Sequence, residues 1–333
     1  MIKLALLSYW HVHANDYAND AAKHPDTEIV SLWDENLERG QKMAAEKGWT
    51  FYKNLDEILT SDIDGVIVTT PTTLHQEVMV KAAQAGKHIF TEKVLAHTTA
   101  GAKSILDTVQ KNNVSLMVSL PRMRFGLTKA LQSNIEKIGK LSMARVRIAH
   151  NGALPNPQHP QGWLPTHFIE GEEAAGGAMI DLGCHPMYLV RTFLGMPSGV
   201  SSSYGHVTQR ELEDNAITLL HYSNGAIGLA ETGFVTPGFS ILEFHGSSGQ
   251  LIWSSIDKEL KHFDGSTWMT LDIPQDEPSL FESWVEHIQK GTRDSANNQL
   301  ALELTMLMEA ANQAAKENTM IRLEPSNEVS QNQ

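Results

Sequence analysis

The chain has 333 residues, of which 41 % are hydrophobic and 20 % charged, and this composition indicates a folded protein of about two domains. Its formal net charge of −13 argues against nucleic acid as a partner, because an acidic surface repels phosphate backbones, and the single cysteine, Cys184, excludes an intramolecular disulfide framework. The first residues lack the pattern of a signal peptide, and no apolar stretch approaches the roughly 20 residues that span a bilayer, so we expect a cytoplasmic protein with no membrane contact.

The first 120 residues alternate between short apolar runs and stretches of helix-forming residues. Short runs that are apolar throughout are typical of strands in a parallel sheet covered on both faces, and their alternation with helices indicates βαβ units. We therefore predict a dinucleotide-binding Rossmann domain over residues 1–120. Its predicted strands are 3–7, 28–33, 65–68, 87–90 and 115–119, and its predicted helices are 13–24, 35–47, 54–59, 74–84 and 96–112.

The pattern changes after Pro121. Several strand-like runs follow one another, and Asn224-Gly225 is typical of a tight hairpin turn. The fold class predicted for the whole chain is an α/β Rossmann domain with a second α+β domain, over 121–325, built on a mostly antiparallel sheet; residues 326–333 are expected to form a flexible tail. The predicted elements are strands 141–150, 199–207, 216–222, 226–234, 240–244 and 250–254, a loop 151–173, a largely helical segment 174–194, and helices 279–290 and 298–318.

Ligands of a parallel sheet bind at the carboxyl ends of its strands. The first strand-to-helix turn, Ser8-Tyr9-Trp10-His11-Val12-His13, lacks all three glycines of the G-x-G-x-x-G fingerprint. The following helix N-terminus still presents N–H groups to an anion, which makes Ser8, Trp10, His11 and Val12 candidate cofactor contacts. The alternative is that Trp10 only fills the mouth of the sheet.

Two further turns carry candidate cofactor residues. Asp34 ends the second predicted strand, where a carboxylate can accept hydrogen bonds from ribose hydroxyls and repel a 2′-phosphate; this favours NAD over NADP, although Asp34 could instead cap the next helix. Thr70, Pro71 and His75 follow the third predicted strand and suit a tight turn beside a ribose or phosphate. A simple helix cap in this turn fits the sequence equally well.

Two motifs contain candidate catalytic residues. Glu92-Lys93 follows a predicted strand, and a partly desolvated lysine there has a lowered pKa and can act as a proton donor or an orienting cation. Asp181 and His185 are four residues apart, on one face if their segment is helical, and a histidine paired with a carboxylate can act as a general base. A surface ion pair and a buried structural histidine are the alternatives.

Taken together, these segments resemble the Gfo/Idh/MocA family of oxidoreductases, which includes glucose–fructose oxidoreductase and inositol dehydrogenase. The resemblance extends over nearly the whole chain, from Lys3 to about Leu323. The motifs that carry it are Glu92-Lys93, Gly176-Gly177-Ala-x-x-Asp181-x-Gly183-x-His185, Thr70-Pro71 with His75, and Phe244-His245-Gly246-Ser-Ser-Gly249.

The resemblance implies a role for each matching residue. Lys93, Asp181 and His185 match the family's catalytic positions, at which Lys93 lies by the nicotinamide and the substrate. Arg124 resembles an arginine near the cofactor and substrate, and Trp163 resembles a tryptophan of the substrate-side loop. His167 lies in the same loop and is a further substrate-binding candidate.

The sequence departs from the family pattern at three places. The fingerprint glycines are missing, Tyr188 stands where many members have an acid, and Val94 replaces the proline of Glu-Lys-Pro. Since a cis bond before a non-proline residue costs about 2.5–4 kcal/mol, we expect the Lys93-Val94 bond to be trans.

The leading hypothesis is an NAD(P)-dependent dehydrogenase that oxidises a secondary alcohol of a sugar, polyol or inositol-like ring. Two alternatives are an NAD-dependent glycosidase, which recycles NADH, and a non-catalytic module that senses a sugar or dinucleotide. The histidines have no compact ligand motif, so no metal is expected. Val207, Ile217, Leu219 and Leu229 alternate with polar residues, and the resemblance implies a homodimer or homotetramer formed through such an apolar face.

Overall fold

A computed structural model describes residues 1–324, so the predicted tail 326–333 lies outside the described residues. The chain divides into two compact units. The first comprises Met1–Phe125, Glu172–Ala175 and Asp276–Met306, and the second comprises Gly126–Gly171, Gly176–Gln275 and the described residues from Leu307 onward. This division differs from the stretches 1–120 and 121–325 predicted from the sequence, because residues 276–306 return to the first unit.

The described residues form fifteen strands and ten α-helices. None of these helices is both long and apolar enough to cross a membrane. The helices are α1 (Ala14–Lys23), α2 (Leu37–Lys47), α3 (Leu55–Leu59), α4 (His75–Gln84), α5 (Thr99–Lys111), α6 (Gly126–Asn134), α7 (Ala178–Asp181), α8 (Cys184–Leu194), α9 (Leu280–Lys290) and α10 (Ser295–Glu317). The strands are β1 (Ile2–Leu7), β2 (Thr27–Trp33), β3 (Thr50–Tyr52), β4 (Gly65–Val68), β5 (His88–Thr91), β6 (Leu116–Val118), β7 (Leu141–Ala149), β8 (Gly199–Gly205), β9 (Asn215–His221), β10 (Ile227–Gly233), β11 (Ile241–Gly246), β12 (Gly249–Ser254), β13 (Leu260–Phe263), β14 (Trp268–Leu271) and β15 (Ile321–Arg322).

The first unit is built on a six-stranded parallel sheet in the order β3-β2-β1-β4-β5-β6. The central strand β4 is buried along its whole length, as expected for a strand covered on both faces. Helix α2 begins at the side-chain cap of Asn36 and ends at Gly48, whose φ of 75° lies in the left-handed region that glycine tolerates. These caps fix the ends of α2. The parallel strand order brings the loops after β1, β4 and β5 to one edge.

The second unit is built on a nine-stranded sheet in the order β14-β13-β12-β11-β7-β10-β9-β8-β15. All neighbouring strands are antiparallel except β7 and β10, which are parallel. The predicted fold class is therefore confirmed, with its mostly antiparallel second sheet. The sequence analysis did not predict helix α6 or the short strands β3, β13, β14 and β15. These strands have two to four residues each, too few to show a periodicity.

One face of the second sheet exposes apolar side chains in this single chain. Ile217 and Leu219 of β9 are exposed, and Leu229 of β10 is half-buried. This agrees with the predicted alternation, whereas the exposed Val207 lies in the turn after β8. The homodimer or homotetramer expected from the resemblance stays a prediction.

Helix α9 belongs to the first unit through an aromatic cluster. Phe90 of β5 has its ring centroid 5.4 Å from that of Phe281 and 5.7 Å from that of Trp284. Trp284 is fully buried, and its indole N–H donates to the carbonyl oxygen of Ser115, 3.4 Å away. Since buried aromatic rings supply large apolar area, this cluster ties the returning segment 276–306 to the parallel sheet.

We predict that Trp284→Ala destabilises the first unit by about 3–5 kcal/mol, because the substitution leaves a large cavity in a packed core. Urea unfolding followed by circular dichroism measures this change. The matched control is Trp268→Ala, at a tryptophan 50 % exposed, which should change the unfolding free energy by less than about 1 kcal/mol. Equal effects of the two substitutions would contradict the assignment of α9 to the core.

Candidate active site

The carboxyl ends of β1, β4 and β5 place three candidate loops side by side. The His11 N–H donates to the carbonyl oxygen of Thr69 at 3.1 Å, and the Thr69 hydroxyl donates to the carbonyl oxygen of Ser8 at 2.6 Å. The Glu92 N–H donates to the carbonyl oxygen of Val68 at 3.0 Å. Of the predicted site residues, the structure therefore gathers those of the β1, β4 and β5 turns at one edge of the first unit.

Side chains hold the β1–α1 turn in the place of fingerprint glycines. Ser8 has a φ of 83°, in the region that glycine favours, and its hydroxyl accepts from the Trp10 N–H at 3.0 Å and donates to Glu35 at 3.0 Å. The Trp10 indole is buried, as the alternative for this residue anticipated, and donates to Glu173 Oε2 at 2.9 Å. Val12 is exposed. Ser8 thus has the backbone conformation of the first fingerprint glycine, whereas Trp10 places a large side chain at the position of the second.

Asp34 does not have the environment predicted for it. It is 0 % exposed, and its carboxylate accepts from the Tyr9 and Asn36 N–H groups, each at 2.8 Å, and from the Arg39 guanidinium at 2.7 and 2.9 Å. These four bonds hold the carboxylate within the turn, and its role in binding ribose hydroxyls stays a prediction. Nor is Asp34 the cap of α2, since Asn36 is. The partly exposed neighbours at this position are Glu35 and Arg39.

The β4–α4 turn offers a donor suited to a bound ligand. The Thr70 hydroxyl is buried at the carboxyl end of β4 and has no hydrogen-bond partner within residues 1–324. Helix α1 begins at Ala14, and the side chain of its N-cap residue, His13, makes no capping hydrogen bond. An unpaired buried hydroxyl and an uncapped helix N-terminus are groups that a phosphate or ribose oxygen can satisfy. Together with the buried Pro71, they fit the phosphate and ribose portion of a dinucleotide.

His75 is a buried link between two of the loops. Its Nδ1 lies 2.8 Å from the carbonyl oxygen of Val94, and its Nε2 lies 3.2 Å from that of Thr70. Burial lowers the pKa of His75 to about 4, although both carbonyl contacts favour the protonated ring. His75 is therefore a neutral imidazole that contacts both loops and, with one ring N–H, donates to one of the two carbonyl oxygens.

Glu92 is a buried carboxylate surrounded by donors. His13 Nδ1 lies 2.7 Å and His11 Nδ1 3.8 Å from Glu92 Oε1, and the Tyr17 hydroxyl donates to the same oxygen. The Lys93 N–H donates to Glu92 Oε2 at 3.0 Å. Burial by itself would raise the pKa of the Glu92 carboxyl, but the charges of His11 and His13 hold it well below its usual range. Glu92 is thus an ionised group within the fold.

Lys93 is only 6 % exposed at the carboxyl end of β5, which agrees with the desolvation expected there. The Lys93-Val94 peptide bond is cis, so the expected trans bond is wrong. The expectation considered only the local cost of the cis form. Val94, Leu95 and Ala96 are buried after this bond, and their packing was not visible in the sequence.

Arg124 lies in the first unit, at the rim of a cavity. Its guanidinium donates to Glu277 at 3.2 Å and to the Ser283 hydroxyl at 3.0 Å. Tyr17 and Phe90 line the same cavity. Arg124 is therefore held by the returning segment before α9 and by α9 itself.

In the second unit, Asp181 and His185 lie on two helices instead of one. Helix α7 ends at Asp181, and α8 begins at Cys184 after Leu182 and Gly183. The prediction that 174–194 is largely helical is therefore confirmed, with a break at Leu182-Gly183 between the two helices. His185 is buried, and its Nδ1 lies 3.1 Å from the Tyr188 hydroxyl.

Glu213 is a positioning residue that the sequence analysis missed. It is buried, and its carboxylate accepts from the Gly177 N–H at 3.0 Å and the Met179 N–H at 2.9 Å, while its carbonyl oxygen accepts from the Ala178 N–H at 2.9 Å. Burial raises the pKa of the Glu213 carboxyl. This residue fixes the start of α7, and so the position of Asp181. In the sequence, Glu213 was recognisable only as an acidic residue shortly before the predicted strand 216–222.

The two loop candidates of the second unit have different environments. Trp163 is 44 % exposed and has its ring centroid 4.7 Å from that of His150, and its indole N–H lies 3.4 Å from Asn151 Oδ1. His167 is half-buried beside Phe168, with ring centroids 4.7 Å apart. An exposed indole suits contact with a sugar ring.

The order β3-β2-β1-β4-β5-β6, with polar loops at the carboxyl edge, is the architecture of dinucleotide-binding oxidoreductase domains. Residues 11–120 match the family described as "Oxidoreductase family, NAD-binding Rossmann fold", and residues 130–252 match the "GFO/IDH/MocA C-terminal domain". The chain belongs to the Gfo/Idh/MocA family, whose members are NAD(P)-dependent oxidoreductases.

Named relatives support the same assignment. The chain is 27 % identical to 1,5-anhydro-D-fructose reductase of Ensifer adhaerens over 81 % of this chain and 82 % of that protein. It is 22 % identical to scyllo-inositol 2-dehydrogenase (NADP(+)) of Bacillus subtilis over 92 % and 94 %. In fold, it is similar to levoglucosan dehydrogenase in complex with NADH and levoglucosan, with a TM-score of 0.78, 21 % identity and coverage of 97 % and 100 %.

The buried His75 predicts a pH dependence of stability. Because its folded pKa of about 4 lies below the ordinary 6.5, protonation favours the unfolded chain. The stabilisation is complete above pH 6.5 and is lost as the pH falls towards 4, by up to about 3 kcal/mol. Denaturant unfolding between pH 7 and 4 measures this loss. His75→Gln, whose amide can donate to both carbonyl oxygens, should lose less unfolding free energy between pH 7 and 4 than wild type. An equal loss in the variant and in wild type would show that His75 does not cause this pH dependence.

Glu213→Gln should destabilise the second unit by about 1–3 kcal/mol, because the amide nitrogen cannot accept and leaves one buried N–H unpaired. Chemical unfolding measures the change. Glu259→Gln, at an exposed position, is the control and should stay within about 0.5 kcal/mol of wild type. If the two variants unfold at the same denaturant concentration, Glu213 does not hold α7.

Proposed function

We propose that the protein is an NAD(P)-dependent dehydrogenase or reductase acting on a secondary alcohol or ketone of a sugar, polyol or inositol-like ring. The observation that carries this proposal is Lys93, a lysine buried at the carboxyl end of β5 in an NAD-binding Rossmann domain. Relatives named for 1,5-anhydro-D-fructose, scyllo-inositol and levoglucosan support the substrate class. All three are cyclic compounds carrying several hydroxyl groups.

The proposed cofactor residues follow from the unit's own geometry. The uncapped N-terminus of α1, with Ser8, His11 and Val12 in the turn before it, and the Thr70 hydroxyl would hold the phosphate and ribose portion. Trp10 and Pro71 would line that turn, and Glu92 would anchor the β5 loop. When bound, the nicotinamide supplies the hydride donor or acceptor.

The adenosine side needs a different assignment from the one the sequence favoured. Asp34 is neutralised by Arg39, so its charge is screened from a 2′-phosphate. We assign this end to Glu35 and Arg39, which are partly exposed at the same position. A carboxylate there favours ribose hydroxyls, and a guanidinium accommodates a phosphate. NAD remains the proposed cofactor, with NADP as the second choice.

The proton chemistry is assigned to four side chains. Lys93 would polarise the substrate oxygen as a cation. His185 would remove the hydroxyl proton during oxidation and return it during reduction. The Tyr188 hydroxyl, 3.1 Å from His185 Nδ1, would orient the imidazole, and Asp181 would stabilise its charged form. Arg124, Trp163 and His167 are proposed to bind substrate.

Lys93→Ala should lower kcat by about 10²–10⁴-fold, the range for loss of a proton-transfer or polarising group, while NADH still binds. Steady-state rates with scyllo-inositol, levoglucosan and 1,5-anhydro-D-fructose, followed by NADH or NADPH absorbance, measure the effect. Lys103→Ala, at an exposed position of α5, is the control and should keep the wild-type rate.

A wild-type kcat in Lys93→Ala would reject this role for the lysine. Cleavage of a glycoside without accumulation of NADH would instead identify the enzyme as a glycosidase that recycles its cofactor. Direct measurement of both NADH and released sugar separates the two reactions.

A further inference from the structure

Three side chains of the first unit converge although they are distant in sequence. His11 and His13 lie on the β1–α1 turn, and Glu92 lies at the end of β5. One ligand atom from each lies within 4.8 Å of the other two. We refer to His11, His13 and Glu92 as the turn cluster.

The donor set is typical of a metal centre. Two imidazoles and one carboxylate form the ligand set of many sites for divalent transition metals. In a tetrahedral site with bonds of about 2.0–2.2 Å, neighbouring ligand atoms are roughly 3.3–3.6 Å apart. The distances from Glu92 Oε1 to the Nδ1 atoms of His13 and His11 are 2.7 and 3.8 Å. These distances bracket the required one, so small side-chain rotations would suffice.

The surroundings of the cluster orient the carboxylate. The Tyr17 hydroxyl donates to Glu92 Oε1, and the Lys93 N–H donates to Oε2. Such outer hydrogen bonds fix the ligands of metal sites in place. The side chains of His11 and Glu92 are 5 % and 2 % exposed, whereas that of His13 is 42 % exposed. His11 and Glu92 are thus buried ligands, and the partly exposed His13 gives an ion access to them.

We propose that the turn cluster binds one divalent transition-metal ion through His11, His13 and Glu92. Zn²⁺ is the best-suited ion, because it accepts nitrogen and oxygen ligands in tetrahedral geometry and leaves a fourth position for water. The ion would also compensate the buried negative charge of Glu92. This inference does not depend on the proposed dehydrogenase activity, and it concerns the metal alone. The competing explanation is a metal-free hydrogen bond between His13 and Glu92.

The test uses the full chain, prepared without a histidine tag and dialysed against a chelator. Co²⁺ is titrated and followed by its visible d–d absorption, and Zn²⁺ is titrated by calorimetry, both without dinucleotide. We expect one ion per chain in wild type and in His159→Ala, which removes an exposed histidine outside the cluster. His13→Ala and Glu92→Gln should weaken binding more than 100-fold, beyond the roughly 10–100-fold expected for the outer-layer variant Tyr17→Phe.

His13→Gln separates the two explanations. Glutamine can donate a hydrogen bond to Glu92 but is a poor ligand for Zn²⁺, so this variant should fold like wild type and lose the ion. Circular dichroism verifies that each variant is folded. The proposal is overturned if wild type takes up no Co²⁺ or Zn²⁺ at one equivalent, or if His13→Gln binds the ions as tightly as His159→Ala. Failure of NADH to bind would not affect either result.

Discussion

The first unit depends on the compensation of one buried charge, the carboxylate of Glu92. An ionised carboxylate inside a fold is tolerated only when donors or cations surround it. Here the donors are His13, the Tyr17 hydroxyl and the Lys93 N–H. Because His13 and Tyr17 belong to the β1–α1 turn and α1, satisfying Glu92 ties that turn to the end of β5.

This constraint explains how a dinucleotide-type fold forms without its usual glycines. In the fingerprint, glycine supplies an unusual backbone angle and close access to the ligand. Ser8 adopts the same positive φ, and its hydroxyl completes the turn. Trp10 fills the space above the sheet and is held by Glu173. The turn is therefore stabilised by side chains, and the features left for a ligand are the helix N-terminus and the Thr70 hydroxyl.

The second unit uses a buried acid in a similar way. Glu213 accepts from two backbone N–H groups at the start of α7 and so shapes the glycine-rich segment around Gly177. A Cβ at Gly177 would lie 2.2 Å from the Glu213 carbonyl oxygen, so only glycine fits this close approach. The positions of Asp181 and, after the break at Gly183, of His185 follow from this contact. In both units, a carboxylate far away in sequence organises a segment that carries proposed catalytic residues.

The sequence predicted those features that depend on local pattern. Short apolar runs located the parallel strands, and the rule for carboxyl ends correctly grouped Ser8, Thr70 and Lys93. The sequence could not predict the ion pair between Arg39 and Asp34, or the contact between Glu92 and His13, which are 79 positions apart. Such pairs leave no periodic signal in the sequence. The return of α9 to the first unit likewise depends on tertiary packing.

We propose that the first unit binds a nicotinamide dinucleotide despite its glycine-free turn. The most direct measurement is isothermal titration of the full chain with NADH, with NADPH as the comparison. We expect saturable binding of NADH at one molecule per chain, together with a stabilisation that approaches about 2.7 kcal/mol at a hundredfold excess over Kd. No heat of binding and no stabilisation at millimolar NADH or NADPH would contradict it.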